Sequence, residues 1–574
     1  MSRSILDKLE SLYGPEKGLQ CYQELVRQME DFQASHPPPT LMEPNDLTEQ
    51  DSILIAYGDM IRQPGSMSLA TLEEFLSGHL SEVISGVHVL PFFPSSSDDG
   101  FSVIDYRKVD PTLGTWEDVE RLARRFDLMV DLVVNHVSAQ SKWFVGFIQG
   151  DEQYREYFIT VDPSIDLSMV VRPRALPLLT PFQTAWGEQH VWTTFSADQI
   201  DLNYASPAVL RQMIDVLLFY IARGARFVRL DAIAYLWKEI GTPCIHLPQT
   251  HRIVQLFRAV LDMVAPHVKL ITETNVPHSE NIAYFGDGHN EAHLVYNFAL
   301  PPLVLHTFLA GNARILSEWV ADLRPPSDHA TFLNFLASHD GIGLNAAHHI
   351  LPERDINVLV EQALAHGGLI SYKHNPDGSR SPYELNINYF DALTAPDSSE
   401  PTSIQVNRFI AAQAIMLAMM GVPGIYFHSL VGSRGWPEGV QRTGHNRAIN
   451  REKLDYTRLV RDLADPGSLR YQIFRRYLRL LKARRTSPAF APTGLQKVLD
   501  CGKAVFGLAR RARMDGETVY CLHNVSPERQ TVILPKHIDR AENLLTDDFL
   551  SDVSMIELAP YEVCWLRPVG HLHG

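Results

Sequence analysis

Residues 226–235 read RFVRLDAIAY. Phe227, Val228, Leu230 and Ile233 have the apolar, partly β-branched character of a strand interior, yet Arg229 and Asp231 interrupt them one residue apart. Removing one partner of a buried ion pair costs about 3–5 kcal/mol. An isolated R-x-D at a strand end reads first as a structural ion pair. Whether this one does more depends on what else in the chain shares its pattern.

Seven short apolar runs share it: SILIAY (52–57), GVHVLPFFP (86–94), DLMVDLVVNH (127–136), ARFVRLDA (225–232), VKLITET (268–274), FLNFLASHD (332–340) and GVPGIYF (421–427). Helical patterns such as LRQMIDVLLFYIARG (210–224) lie between them. Strands that are apolar throughout predict a parallel sheet covered on both faces. Seven or eight such units predict an α/β fold, a (β/α)8 TIM barrel. Polar residues gather at the C-terminal ends of the runs: Asn135 and His136, Asp231, Glu273, His339 and Asp340. Barrel active sites lie at those ends.

The rest of the chain is laid out around these units. Residues 1–50 read as an N-terminal helical extension, with Ile5, Leu9, Leu12, Leu25 and Met29 at helical spacing and a breaker run, SHPPPT, at 35–40. The barrel then occupies 51–136, 205–340 and 401–488. The connections at 137–204 and 341–400 are too long for simple loops and predict inserted subdomains over the barrel mouth. Short strands such as AVFGLARRA (504–512), ETVYCLHNV (517–525) and VCWLRP (563–568) predict a small all-β domain over 489–574.

Composition excludes several partners. A net charge of −16 with pI near 5.8 argues against nucleic acid or an anionic membrane. Five scattered cysteines with no C-x-x-C pair suggest neither a disulfide framework nor a zinc site. The first residues, MSRSILDKLESLYG, lack the apolar core of a signal peptide, and no run of 18 apolar residues occurs. A cytoplasmic chain, monomer or homodimer, acting on small molecules is expected.

Three carboxylates end three separate runs: Asp231, Glu273 and Asp340. Glycosidic cleavage with retention needs a nucleophilic carboxylate and an acid/base carboxyl on one sugar. A third carboxylate can hold the hydroxyls of the distorted ring. DDGF (98–101) adds Asp98 and Phe101 on a loop after the second run, and His136 ends DLVVNH.

In this order DLVVNH, VRLDA, ITETN and SHD resemble the four short catalytic motifs of the α-amylase superfamily, glycoside hydrolase family 13, and QIDLN (199–203) is similar to its extra motif. The resemblance covers roughly residues 51–574. It implies that Asp231 is the nucleophile, oriented by Arg229, that Glu273 is the acid/base and that Asp340 stabilises the transition state. It further implies that His136 and His339 bind glucose hydroxyls. SSDDGFSVIDYRKVD (96–110), RPRALP (172–177), TTFSADQIDLNY (193–204), KEIGTPCIHLPQTH (238–251) and HNRAINREKLD (445–455) look like the sucrose phosphorylase branch. Within it, ITETNVPHSENIAYFG (271–286) and NFLASHDGIGLN (334–345) most resemble the phosphorylases of glucosylglycerate. The expected reaction is therefore reversible phosphorolysis of a glucoside by inorganic phosphate, giving α-glucose 1-phosphate. Sucrose 6-phosphate or sucrose phosphorolysis and hydrolysis or transglucosylation of small α-glucosides are the alternatives.

Phosphate must then replace water as the attacking group, and bidentate arginine contacts suit it. Arg172 and Arg174 on the first long connection, and Arg447 and Arg451 after the last run, are the candidates; Arg447 also suits the glucose subsite. SYKHNPDGSRSPYELN (371–386), with Lys373, His374, Arg380 and Tyr383, is expected to hang over the mouth, with Arg380 reading an acceptor carboxylate. Amylases hold Ca²⁺ between barrel and insert through Asn and Asp. The sucrose phosphorylase branch generally lacks it, and residues 150–200 show no Asp cluster with ligand spacing. No metal and no cofactor are expected.

Overall fold

The computed structural model describes residues 3–36, 47–174, 176–374, 379–514 and 516–569. Residues 37–40 of the breaker run and 375–378 of the expected acceptor loop lie outside the described residues. Eight parallel strands close a barrel: β1 (Ile53–Ala56), β2 (Gly86–Val89), β3 (Asp127–Val133), β4 (Ala225–Asp231), β5 (Lys269–Thr272), β6 (Leu294–Tyr296), β7 (Thr331–Asn334) and β8 (Val422–Tyr426). Each pairs with the next, and β8 with β1. Apart from Asp127, Arg226 and Lys269 near three strand starts, every strand residue is buried. Burial on both faces explains why the runs are apolar rather than alternating.

The eighth strand, β6, was not among the seven runs. It is only three residues long and sits between His293 and Asn297, too short to make a pattern. Two runs also stop earlier than they read. β7 ends at Asn334, whose Nδ2 donates to the Met420 carbonyl at 2.7 Å, so Asp340 sits on a loop six residues further on. β3 ends at Val133. His136 opens a separate short strand, His136–Ser138, which pairs antiparallel with Gln199–Asp201. That pairing brings the two ends of the 137–204 connection together.

Between those ends lie a helix, Lys142–Gln149, and a hairpin, Leu179–Thr184 with Gly187–Trp192. The second long connection holds a three-stranded antiparallel sheet of Ile342–Gly343, Leu369–His374 and Arg380–Asn386, with a helix at Glu353–Ala365.

At the N-terminus, α1 (Arg3–Tyr13) and α2 (Pro15–Ser35) pack together and on the barrel helices α3 (Pro207–Ala222) and α4 (Pro248–Val264). Ile5, Leu9, Cys21, Leu25 and Met29 are buried there. Gly18 lets the two helices approach, because a Cβ on it would lie 2.7 Å from the Glu10 backbone. Tyr13 OH donates to the Tyr204 carbonyl at 3.0 Å, tying the hairpin to the end of the first insert.

The C-terminal strands, from Leu495 to Pro568, form one six-stranded antiparallel sheet. Phe506, Leu508, Cys521 and Trp565 join the core of the barrel, while Leu522, Val532 and Leu558 form a second cluster. Two fully buried arginines sit at this junction. Arg484 donates to the carbonyls of Asp51 (3.1 Å) and Phe490 (3.1 Å), and Arg510 to those of Ala418 (2.8 Å) and Ala491 (2.7 Å). Asp51 and Ala418 precede β1 and β8, at the end of the barrel opposite the carboxylates.

Candidate active site

Arg229 and Asp131 face each other across β4 and β3. Arg229 Nη1 donates to Asp131 and, at 2.8 Å, to Asp231 Oδ1, while Nη2 lies 3.8 Å from Glu273 Oε2. His88 on β2 closes the row, its Nε2 2.7 Å from Asp131 Oδ2. A guanidinium exposed by only 3% is thus held by surrounding carboxylates and not stranded. Burial favours the neutral form of Asp131, but His88 and then Arg229 outweigh it and hold the carboxyl at about 2.

Asp231 ends β4. Ala232 follows in the left-handed region (φ 52°), and the sharp turn lets its N–H donate to Glu273 Oε2 at 3.1 Å. Glu273 is the residue after β5. Burial raises the carboxyls of both Asp231 and Glu273, and their mutual repulsion adds to it for Asp231. Arg229 opposes the rise at both carboxyls and lies nearer Asp231 (2.8 Å) than Glu273 (3.8 Å).

Asp340 lies 2.6 Å from Arg447 Nη1, 3.4 Å from His339 Nε2 and 3.6 Å from Arg451 Nη2. Burial alone would raise its carboxyl; Arg447, His339 and Arg451 push it well below the usual range. Arg447 also grips Glu384 through Nε (3.1 Å) and Nη2 (3.0 Å). Asp98 accepts from Arg174 Nη2 at 2.9 Å and from Gln199 Nε2 at 3.2 Å. Asp98 and Asp99 both have positive φ, and Asp99 pairs with Arg451. His136 donates from Nε2 to the Phe101 carbonyl at 2.9 Å, and the Phe101 ring stacks on His339 at 4.9 Å.

One cavity gathers Asp231, Glu273 and Asp340 with Asp98, Phe101, His136, Arg174, Arg229, His339, Tyr383 and Arg447. Arg451 stands behind it, against Asp340 and the His339 carbonyl (2.8 Å). Arg172 is exposed and lines the neighbouring chamber. Arg380 is not brought to the cavity. It is exposed and pairs with His374 at the end of the hairpin that adjoins residues 375–378, three residues short of Tyr383. Three strand residues span about 10 Å, which is why one residue of the hairpin reaches the cavity and the other does not.

The α-amylase catalytic-domain model matches residues 82–340 of this chain. A glucosylglycerate phosphorylase of Spirochaeta thermophila is 51% identical, with 98% of this chain and 97% of its own length aligned. The chain belongs to the α-amylase family. A second relative, the glucosylglycerate phosphorylase of Escherichia coli, is 45% identical over 99% of this chain and all of its own. Among solved structures, the α-amylase-family fold is matched by a sucrose 6F-phosphate phosphorylase from Thermoanaerobacter thermosaccharolyticum, with TM-score 0.72 and 27% identity over 85% of this chain and 95% of that one.

An ammonium ties the end of the third run to the first insert. Lys238, its side chain 3% exposed, places Nζ 2.6 Å from Asp201 Oδ2 and 2.8 Å from Asn135 Oδ1. Asn135 and Thr194 also donate to Asp201, at 3.0 and 2.7 Å. Among the described residues, no group of three His, Cys, Asp or Glu side chains could hold a metal ion, and no helix is long and apolar enough to cross a membrane. Sequence reasoning missed several members of the site. Gln199 and Asn275 line the cavity from within two quoted motifs, QIDLN, where no residue was assigned, and ITETN, where only Glu273 was. Asp131, His88 and Glu384 orient the charged residues from behind.

Proposed function

We propose that this chain is a retaining α-glucosyl phosphorylase that converts 2-O-α-D-glucosylglycerate and phosphate reversibly to α-D-glucose 1-phosphate and D-glycerate. The observation that carries the reaction class is the convergence of Asp231, Glu273 and Asp340 in one cavity with Arg174 and Arg447. The choice of glucoside rests on the two relatives aligned over nearly the whole chain.

Asp231, kept ionised by Arg229, attacks the anomeric carbon while Glu273 protonates the departing glycerate oxygen. A glucosyl–Asp231 ester results, and glycerate leaves. Phosphate then attacks the same carbon from the vacated side while Glu273, now carboxylate, takes back a proton from the phosphate hydroxyl; Asp231 departs as carboxylate, and the two inversions give net retention. Asp340, held below the usual carboxylate range, stays anionic and accepts hydrogen bonds from the ring hydroxyls. Asp98, Phe101, His136, His339 and Tyr383 shape the glucose pocket, and Arg174 and Arg447 supply the cations for phosphate.

The test is to follow glucosylglycerate and phosphate by proton NMR. Early product is α-glucose 1-phosphate. The β-anomer would overturn the mechanism, and free glucose in place of the phosphate ester would make the chain a hydrolase.

A further inference from the structure

A second, wider chamber of about 670 Å³ adjoins the catalytic cavity and shares Pro173, Tyr235, Asn275, Val276 and Tyr383 with it. The cations of the inner cavity are ion-paired, Arg229 with Asp131 and Asp231, Arg174 with Asp98 and Arg447 with Asp340 and Glu384, and the last two serve phosphate in the reading above. Lys373, on the wall of the outer chamber, is different. It is half-buried, and its Nζ contacts a neutral oxygen, Asn345 Oδ1, at 3.0 Å. Among the described residues no carboxylate lies within ion-pair distance of it. Glu280, which also lines the chamber, is 3.2 Å from His246 Nε2.

Glu280 acts on this half-buried ammonium only from beyond ion-pair distance, so a ligand that brings a negative charge into contact with it is favoured. The same wall carries a second unmet group. Asn345 Nδ2 donates to the Asn275 carbonyl at 3.1 Å, and the buried Asn275 Oδ1 has no hydrogen-bond partner among the described residues. Asn275 is two residues past Glu273 and lines both cavities. Gly343 packs against its amide so closely that a Cβ there would lie 2.7 Å from Nδ2. A rigid wall therefore stands beside the acid/base, and a cation stands beyond it.

Resting on the reading above, we propose that the outer chamber is the acceptor subsite, in which Lys373 binds the glycerate carboxylate. Arg380, on the exposed end of the hairpin, takes no part. Glycerol presents the same hydroxyls without the carboxylate, so Lys373 is what separates the two acceptors.

The experiment measures kcat/KM for glycerate and for glycerol, with glucose 1-phosphate as donor, in the parent, Lys373→Met and Lys373→Arg. The parent prefers glycerate. In K373M the glycerate-over-glycerol ratio falls about ten- to a hundredfold, the size of one charge-assisted hydrogen bond, and K373R recovers part of it. A ratio within twofold of the parent's in K373M overturns the inference, including the case in which only the KM for phosphate in the opposite direction rises. A parent that makes no glucose 1-phosphate from glucosylglycerate overturns the reading of the reaction itself, and this inference with it.

Discussion

Arg229 answers the question its own sequence poses: an arginine can stand inside an apolar strand because carboxylates on two adjacent strands and its own surround it. Two predictions belong to this scale. Asp231→Asn should lose at least ~10³-fold in turnover, as expected for a group that acts with others as a unit; steady-state assay of purified, folded variant checks it. Glu273→Gln should lose about 10²–10⁴-fold on glucosylglycerate, the usual worth of a general acid, yet still be glucosylated by α-glucosyl fluoride, whose leaving group needs little protonation. Equal losses on both substrates would remove the acid role from Glu273. Asp131 was as legible as Arg229, since it too is a charge within an apolar run, DLMVDLVV. It was passed over because the polar pair Asn135–His136 drew the reading to the end of the same run. His88 and Glu384 carried no such signal, for each becomes a partner only through strand pairing or a return of the chain.

Elements set how far that legibility extends. Seven of the eight barrel strands could be read because burial on both faces makes them apolar, and β6 could not because three residues make no pattern. Inside the two inserts, the direction of the chain depends on contacts distant in sequence, so Arg380 looked as well placed as Tyr383. Lys238 shows the same limit. It lies 103 residues from Asn135 and 37 from Asp201, and the three meet only because His136–Ser138 pairs with Gln199–Asp201. Lys238→Met should leave Asp201 buried with its donors but no counter-charge, costing about 3–5 kcal/mol. The insert should loosen first. Limited proteolysis should cut within 137–204 faster than in the parent, and Tm should fall by several degrees. Unchanged cleavage would show that the ammonium does not hold the insert.

For the molecule as a whole, pH offers the broadest test. His136, His339, His428 and His523 are buried, and burial lowers them to about 4, 3, 3 and 4. Their unfolded value is about 6.5. Between pH ~6.5 and ~4 the unfolded chain binds protons that these side chains refuse in the folded state, so their contribution falls as pH falls through that window and is fully present above it. Denaturant unfolding should show lower stability at pH 5 than at pH 7, and His428→Gln should reduce the difference. Equal stability at the two pH values would mean these rings are not neutral in the fold. Such linkage was invisible in a sequence with 24 histidines, since only the fold shows which of them are buried. The opposite end of the barrel carries the last consequence. Burial lowers the guanidinium of Arg484 to about 9 and that of Arg510 to about 10, so both are charged at neutral pH while plugged into main-chain carbonyls. Arg484 belongs to the barrel's last helix and Arg510 to the C-terminal sheet, so Arg510, with Phe506 and Trp565 packed into the same core, makes that sheet the cork of the barrel. Shortening the gene at residue 488 should yield an uncorked vessel that fails to hold its shape, and the intact chain should melt in a single calorimetric peak.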